Sequence, residues 1–112
     1  TGFSYRKQSI LHAEMTAFER LSLVARAIRR PGSAALDLAY RARGVFDAFW
    51  ELRLSPWDIA AGAILVSEAG GRVTDFAGNP FRVDTQEILA SNSLLHEEVR
   101  VTIEPEFRKL GE

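Results

Sequence analysis

The 112-residue sequence predicts an α/β fold in which a layered sheet is flanked by helices. Segments with helical spacing alternate with segments of strand character, in the order strand, helix, strand, helix, strand, helix, strand, strand, helix. This alternation favours a sheet covered by helices on both faces. Because such sheets place ligand sites at strand ends and helix N-termini, candidate site residues are expected there.

Residues 9–21 have the spacing of an amphipathic helix. Leu11, Met15 and Phe18 form its predicted inner face, and Glu14 is expected to face outward. Residues 23–28 then alternate as a strand does.

The break after this predicted strand is the Arg-Arg-Pro-Gly run that ends at Gly32. Ser33 can cap a second helix that continues to about Ala42, with Asp37 in its first turn, where a negative charge favours the helix. Its predicted inner face comprises Leu36, Ala39 and Tyr40.

The middle of the chain combines an aromatic strand with an apolar helix. Residues 45–52 favour a strand and carry Glu51 near its end. Ser55 is a good N-cap for the following helix, and Pro56 suits its first position. Asp58 stands where a carboxylate can bond back to the cap in a capping box, and Gly70 provides a left-handed exit. Since this helix is apolar nearly all round, we expect it to be buried.

The last third predicts two strands and a helix. The strands are expected over residues 72–76 and 87–90, separated by a turn over residues 77–80. Asn92 or Ser93 can cap the final helix, which Pro105 is expected to end.

Composition indicates one ordinary globular domain covering residues 1–112. Hydrophobic residues make up 46%, and 14 basic against 15 acidic residues give a net charge of −1, so neither a nucleic-acid partner nor a membrane is expected. The absence of cysteine excludes disulfides and thiol chemistry and is compatible with a cytoplasmic location, which we predict. Because the sequence begins with Thr1 rather than methionine, it can be a fragment of a longer protein.

Three features are candidate site elements, and each has a structural alternative. The turn Gly32-Ser33-Ala34-Ala35 can bind an anion through the free N–H groups of a helix start, or it is an ordinary capped loop. Glu51 can bind a ligand hydroxyl or a cation, or it is a solvated acid at a strand end. Asp58 can bind a hard cation such as Mg²⁺, or it serves only the capping box.

The histidines and the arginines are expected to be mainly solvated. His12 and His96 lie among polar residues in predicted helices, and we expect both to be solvated. Seven arginines make the first half locally basic, which predicts a solvated face or, alternatively, a phosphate or RNA patch: Arg20, Arg26, Arg29, Arg30, Arg41, Arg43 and Arg53.

Four motifs resemble those of the inositol monophosphatase family, in the family's order and spacing. They are Gly-Ser-Ala-Ala-Leu-Asp-Leu-Ala-Tyr from Gly32, Asp-Ala-Phe-Trp-Glu ending at Glu51, Trp-Asp-Ile-Ala-Ala-Gly around Asp58 with the later Glu-Ala-Gly-Gly, and Gly-Asn-Pro-Phe from Gly78. The likeness extends from Thr1 to Asn92.

The resemblance implies a Mg²⁺-dependent, lithium-sensitive phosphomonoesterase of α/β/α/β/α fold, commonly a homodimer. It assigns metal binding to Asp58, contact with a substrate hydroxyl to Glu51, and backbone contacts with substrate to Gly32, Ser33 and Ala34. The reaction implied is hydrolysis of a phosphate monoester by metal-activated water.

The family's other metal ligands, a glutamate and an Asp-Pro-Ile/Leu-Asp-Gly-Thr motif, belong to its N-terminal half, and this sequence contains no such motif. One aspartate cannot hold two or three Mg²⁺ ions. The sequence therefore predicts the C-terminal lobe of such an enzyme, without its N-terminal lobe and inert by itself.

Two alternatives stay open. The chain can be a non-catalytic module that binds protein or RNA through its arginines. Within the enzyme class, its substrate can be inositol monophosphate, fructose 1,6-bisphosphate, another sugar phosphate or a 3′-phosphonucleotide.

Overall fold

The computed structural model of the chain describes residues 1–3, 8–52 and 54–108. Its elements are α1 (Gln8–Ser22), α2 (Ala34–Arg43), β1 (Ala48–Leu52), α3 (Pro56–Glu68), β2 (Arg72–Thr74), a 3-10 turn (Val83–Thr85), β3 (Glu87–Ser91) and α4 (His96–Arg108). Ser33 caps α2 as expected, because its side chain accepts the N–H of Leu36 at 3.4 Å.

The three strands form an antiparallel sheet in the order β1-β3-β2. The central strand β3 contributes Ile88, Leu89 and Ala90, each with 0% of its surface exposed. Since successive strand residues point to opposite faces, three buried residues in a row require cover on both sides of the sheet.

Helices provide that cover on both faces. On one face, Trp50 and Leu89 pack with residues of α1 and α4. On the other face, Phe49 and Ile88 pack with residues of α2 and α3. The predicted α/β architecture, a layered sheet flanked by helices, is therefore confirmed.

The strand predicted over residues 23–28 is wrong. Leu23 and Val24 are 81% and 73% exposed, so their alternation has no core to cover. The N–H groups of Val24 and Ala25 instead donate to Leu21 O and close the end of α1.

The first residues of the chain lie beside the edge of the sheet, where Thr1 Oγ1 donates to Trp50 O of β1 at 2.6 Å.

The inner faces predicted for α1 and α2 are also wrong. Glu14 is buried, at 2% exposure, whereas Met15 is 49% exposed. In α2, Leu38 faces the core, while Leu36 and Tyr40 are 57% and 41% exposed. Helical spacing located these helices correctly but gave faces rotated away from the observed contacts.

Helix α3 is buried along only one side, contrary to expectation. Ile59, Ala63 and Val66 enter the core, but Trp57 and Ile64 are 82% and 64% exposed. The exposed apolar side chains of α2 and α3 are called the outer apolar face below: Leu36, Tyr40, Trp57, Ile64 and Leu65.

Helices α2 and α3 approach closely where Gly62 faces Leu38. A Cβ atom placed on Gly62 would lie 2.6 Å from Leu38 Cβ, far inside normal contact. The side-by-side packing of the two helices therefore depends on the missing side chain at position 62.

The start of α4 agrees with its sequence signal, but its end does not. Asn92 Oδ1 accepts the N–H groups of Leu94 at 3.1 Å and Leu95 at 2.9 Å, just ahead of the helix. Helix α4 then continues through Pro105 to Arg108. The ring of Phe107 packs on Phe76, with 4.5 Å between centroids, so tertiary contacts outweigh the missing hydrogen bond at the proline.

Candidate functional site

The N-terminus of α3 positions Asp58. Ser55 has extended backbone angles and Pro56 occupies the first helical position, as predicted. The Ser55 N–H donates to Asp58 Oδ2 at 3.1 Å, which is the expected bond from the carboxylate back to the cap. Asp58 is partly exposed, and Oδ1 lies outside this bond, so the same side chain can start the helix and accept a further ligand.

Glu51 lies on β1 opposite Ile88, on the α2 and α3 side of the sheet. Burial raises its pKa to about 7, with contributions from Asp37, Glu14 and Asp58 and partial opposition from the Thr1 amino group. A carboxyl group with this pKa can both donate and accept hydrogen bonds near neutral pH, which suits contact with a hydroxyl.

The backbone of Gly2 packs closely against the Glu51 carboxyl group. A Cβ atom on Gly2 would lie 2.2 Å from Glu51 Oε1, so only glycine permits the observed position of Glu51. Gly2 therefore packs against a candidate site residue, and it was not among the candidate residues that the sequence indicated. Its signal was the Thr1-Gly2-Phe3 opening of the resemblance.

The turn before α2 presents backbone donors. Gly32 is exposed and adopts φ = +97°, in the left-handed region that glycine favours. The N–H groups at the start of a helix lack intrahelical partners, apart from the one that the Ser33 cap takes. The N–H groups of Ala34 and Ala35, in the first turn of α2, are the donors that an anion at this helix start would use.

Asp37 connects this turn to Glu51. It lies in the first turn of α2 and is 1% exposed, and its Oδ1 has no hydrogen-bond partner among residues 1–3, 8–52 and 54–108. Burial raises the pKa of Asp37, and its charge in turn raises the pKa of Glu51. The sequence revealed only its favourable place in the helix dipole, because burial of one acid cannot be inferred from spacing alone.

The structure thus brings the candidate residues toward one region. Asp58 and Asp37, at the starts of α3 and α2, both act electrostatically on Glu51. Within the described part of the chain, no group of three or more His, Asp or Glu side chains is placed to hold a metal ion. Carboxylate oxygens are the ligands that a hard cation prefers.

The arginines do not form a single solvated face. Arg41 is 7% exposed and donates to the carbonyl groups of Phe46 and Asp47, so it stabilises the loop before β1. Arg20 pairs with Glu106 at 3.0 Å. Arg53 lies outside the described residues.

The two histidines differ. His12 is exposed on α1, as predicted, whereas His96 is completely buried and the prediction for it was wrong.

Among the described residues, no helix has both the length and the apolar character needed to cross a membrane.

Most of the chain matches a known protein family. A family model described as the inositol monophosphatase family matches residues 1–106. The chain belongs to the inositol monophosphatase family. The resemblance inferred from the residues around Gly32, Glu51 and Asp58 is therefore confirmed.

Three curated relatives illustrate the range of this family. The chain is 40% identical over 110 residues to the chloroplastic phosphatase IMPL1 of Arabidopsis thaliana, covering 98% of this chain and 30% of the relative. It is 46% identical over 107 residues to the Nus factor SuhB of Pseudomonas aeruginosa, covering 94% and 40%. It is 44% identical over 93 residues to the fructose-1,6-bisphosphatase/inositol-1-monophosphatase of Thermotoga maritima, covering 83% and 36%.

A solved inositol monophosphatase from Anabaena superposes with a TM-score of 0.82 at 42% identity, covering 90% of this chain and 40% of that structure. This chain is therefore a part of the family fold. It spans between 30% and 40% of the length of the three curated relatives.

Proposed function

We propose that this chain forms the substrate-binding wall of a Mg²⁺-dependent phosphomonoesterase that hydrolyses inositol monophosphate or a related sugar phosphate. The observation that carries the proposal is the placement of Asp58 at the start of α3, where Oδ2 accepts the Ser55 N–H and Oδ1 lies outside that bond. Asp58 and Asp37 both raise the pKa of Glu51, which supports a shared site. Family membership supports phosphatase chemistry in general.

Each candidate group has a distinct task in this proposal. The backbone N–H groups after Gly32, at Ser33 and Ala34, bind the substrate at the helix start. Glu51 accepts a hydrogen bond from a substrate hydroxyl and so fixes the orientation of the ring. Gly2 holds Glu51 in place by close packing, and the charge of Asp37 raises the pKa of its carboxyl group.

Asp58 would hold the metal through the oxygen that is not bonded to Ser55. When bound, Mg²⁺ supplies activation of a water molecule and neutralisation of phosphate charge. The excess of acidic groups near Glu51 fits a cation, because a positive charge there would relieve their mutual repulsion.

We further propose that residues 1–112 are the C-terminal lobe of the enzyme and are inert alone. One carboxylate ligand cannot complete a Mg²⁺ site. The outer apolar face supports this arrangement, because two neighbouring helices expose five large apolar side chains that a further layer of a longer protein would cover. A homodimer and a cytoplasmic location are proposed on the family resemblance and the lack of cysteine.

Fructose 1,6-bisphosphate and a 3′-phosphonucleotide are the alternative substrates within the enzyme class. The relative from Thermotoga maritima carries both a fructose-1,6-bisphosphatase and an inositol-1-monophosphatase name. Competition among these substrates in one phosphate-release assay would rank them.

The test uses the full-length protein that contains this chain, with inositol monophosphate and Mg²⁺. Asp58→Asn should reduce phosphate release by orders of magnitude while the protein remains folded by circular dichroism. Asp84→Asn, an exposed acid paired with Arg82, is the matched control and should retain activity. If Asp58 has only its capping role, the variant should lose about 1 kcal/mol of stability and keep its activity.

A non-catalytic module is the second candidate, because relatives from several bacteria, Pseudomonas aeruginosa among them, are named Nus factors. Its basis in this chain would be the exposed Arg26, Arg29 and Arg43. Salt-sensitive binding of RNA that Arg29→Ala removes, together with no Mg²⁺-dependent hydrolysis, would favour it.

A further inference from the structure

His96 begins α4, yet 0% of its surface is exposed. Its Nε2 lies 2.7 Å from Thr74 Oγ1 at the end of β2, and its Nδ1 lies 2.6 Å from Ser91 Oγ at the end of β3. One imidazole ring therefore joins the helix to two strands. Both partners are hydroxyl groups, which carry no charge to offset a proton on the ring.

The hydrogen atoms around the ring can be counted. Thr74 Oγ1 also lies 2.7 Å from Asp75 O, and Ser91 Oγ lies 2.9 Å from Asn92 O. These four contacts need four hydrogens, but a neutral ring and two hydroxyl groups have three. Only a doubly protonated ring would complete all four contacts.

The neutral ring nevertheless leaves neither carbonyl group without a partner. Asp75 O also accepts the Gly78 N–H at 3.2 Å, and Asn92 O accepts the Leu95 N–H at 3.3 Å, which it shares with Asn92 Oδ1 at 2.9 Å. Either carbonyl can therefore lose its hydroxyl hydrogen bond and remain satisfied. The gain from a fourth bond is small beside the cost of burying an uncompensated charge.

Burial and two nearby arginines disfavour a charged His96 ring, and one glutamate favours it. Burial, followed by repulsion from Arg72 on β2, lowers the pKa of His96 to about 4. On α4, Glu97 opposes this shift and Arg100 adds to it, and these two side chains form an ion pair with each other. The carboxylate of Asp75 is occupied by hydrogen bonds from Asn79.

We propose that the Thr74–His96–Ser91 bridge is an acid-sensitive latch, which holds the start of α4 on the sheet while the ring is neutral and opens when the ring takes up a second proton. In the unfolded chain a histidine takes up this proton at about pH 6.5. Between that pH and about 4, the unfolded state binds more protons than the folded state, so acid favours opening. This one group should reduce the folding equilibrium constant roughly twenty-fold between pH 7 and pH 5.

The experiment is urea unfolding of the 112-residue chain at pH 7 and at pH 5. Between pH 7 and pH 5, the folding equilibrium constant of the wild type should fall by a factor about twenty times larger than that of His96→Gln. The glutamine keeps a polar side chain but cannot titrate. His12→Gln, at an exposed position of α1, is the matched control and should keep the wild-type dependence. An unchanged pH dependence in His96→Gln overturns the proposal.

A second measurement does not require a folded variant. Nitrogen-15 NMR of the wild-type imidazole rings at pH 5.5 should find His96 neutral and present as one tautomer, protected from exchange. A doubly protonated His96 in the intact fold would mean that the four-contact network stabilises the charge. That result would contradict the latch.

Discussion

Polar groups lie near both ends of the pairing of β1 with β3, and their environments differ: one set is hydrogen-bonded and the other carries like charges. At the Ala48–Ser91 end, the buried ring of His96 finds a hydroxyl partner on each nitrogen. The ring holds helix α4 on the sheet, because each of its nitrogens lies within hydrogen-bond distance of a hydroxyl oxygen. We call this the histidine end.

At the other end of the pairing, near Leu52, three acidic side chains influence one another electrostatically: Asp37, which is buried, and the partly exposed Glu51 and Asp58. Glu51 experiences the charges of Asp37 and Asp58, and one oxygen of Asp37 has no hydrogen-bond partner among the described residues. We call this the acidic end. Placing groups that repel one another close together costs stability, whereas the hydrogen bonds of the histidine end contribute to it.

The two ends also respond to pH in opposite directions. Burial lowers the pKa of His96 to about 4, so stability from the histidine end is complete above pH 6.5 and declines in acid. Burial raises the pKa of Glu51 from 4.5 to about 7, so its ionisation destabilises the fold as the pH rises through this range. Their opposite slopes partly cancel, and single variants are needed to separate them.

Ser91→Ala should have the largest effect on stability. It removes the partner of His96 Nδ1 inside the protein, and leaving a buried polar atom unmatched costs about 1–3 kcal/mol. Urea unfolding at pH 7 measures it. Ser22→Ala, an exposed hydroxyl bonded within α1, is the control and should change little. Equal losses in the two variants would remove the distinction drawn for the histidine end.

Glu51→Gln should have an effect of the opposite sign at the acidic end. Removing the ionisable group should stabilise the chain by about 1–2 kcal/mol at pH 8, after allowance for partial exposure, and hardly at all at pH 4.5. Thermal unfolding at the two pH values checks this. In the full-length protein, the same variant should bind substrate more weakly. A loss of stability at pH 8 would show that Glu51 has a structural role.

Gly2→Ala should have the smallest effect on stability. The new methyl group would displace the end of the flexible Glu51 side chain, and we expect a change below about 1 kcal/mol. In the full-length enzyme, KM for the phosphate monoester should rise because the carboxyl group no longer meets the substrate hydroxyl. An unchanged KM would remove Glu51, and Gly2 with it, from the proposed site.

The elements that sequence predicts well are those with local signals. Ser33, Ser55 and Asn92 act at helix starts as expected, because a cap depends on the few residues that follow it. The strand expected over residues 87–90 is present as β3, where three consecutive residues are completely buried.

The errors all concern packing between distant elements. Spacing could not reveal that Glu14 is buried and Met15 exposed, or that helix α4 continues past Pro105. The character of His96 was missed for the same reason, since its partners Thr74 and Ser91 lie on two separate strands. For the candidate site, the sequence motifs identified Glu51 and Asp58, but the closeness of Gly2 required the folded chain.

The missing side chain at Gly62 has a consequence for the width of the proposed site. Gly62 lies one helical turn beyond Asp58, and it allows α3 to rest directly on Leu38, the residue after Asp37. The distance between two helix starts is thus set from within the core, away from any ligand. A methyl group at position 62 would act as a wedge, separating the carboxylate of one helix from the anion-binding turn of the other without altering either.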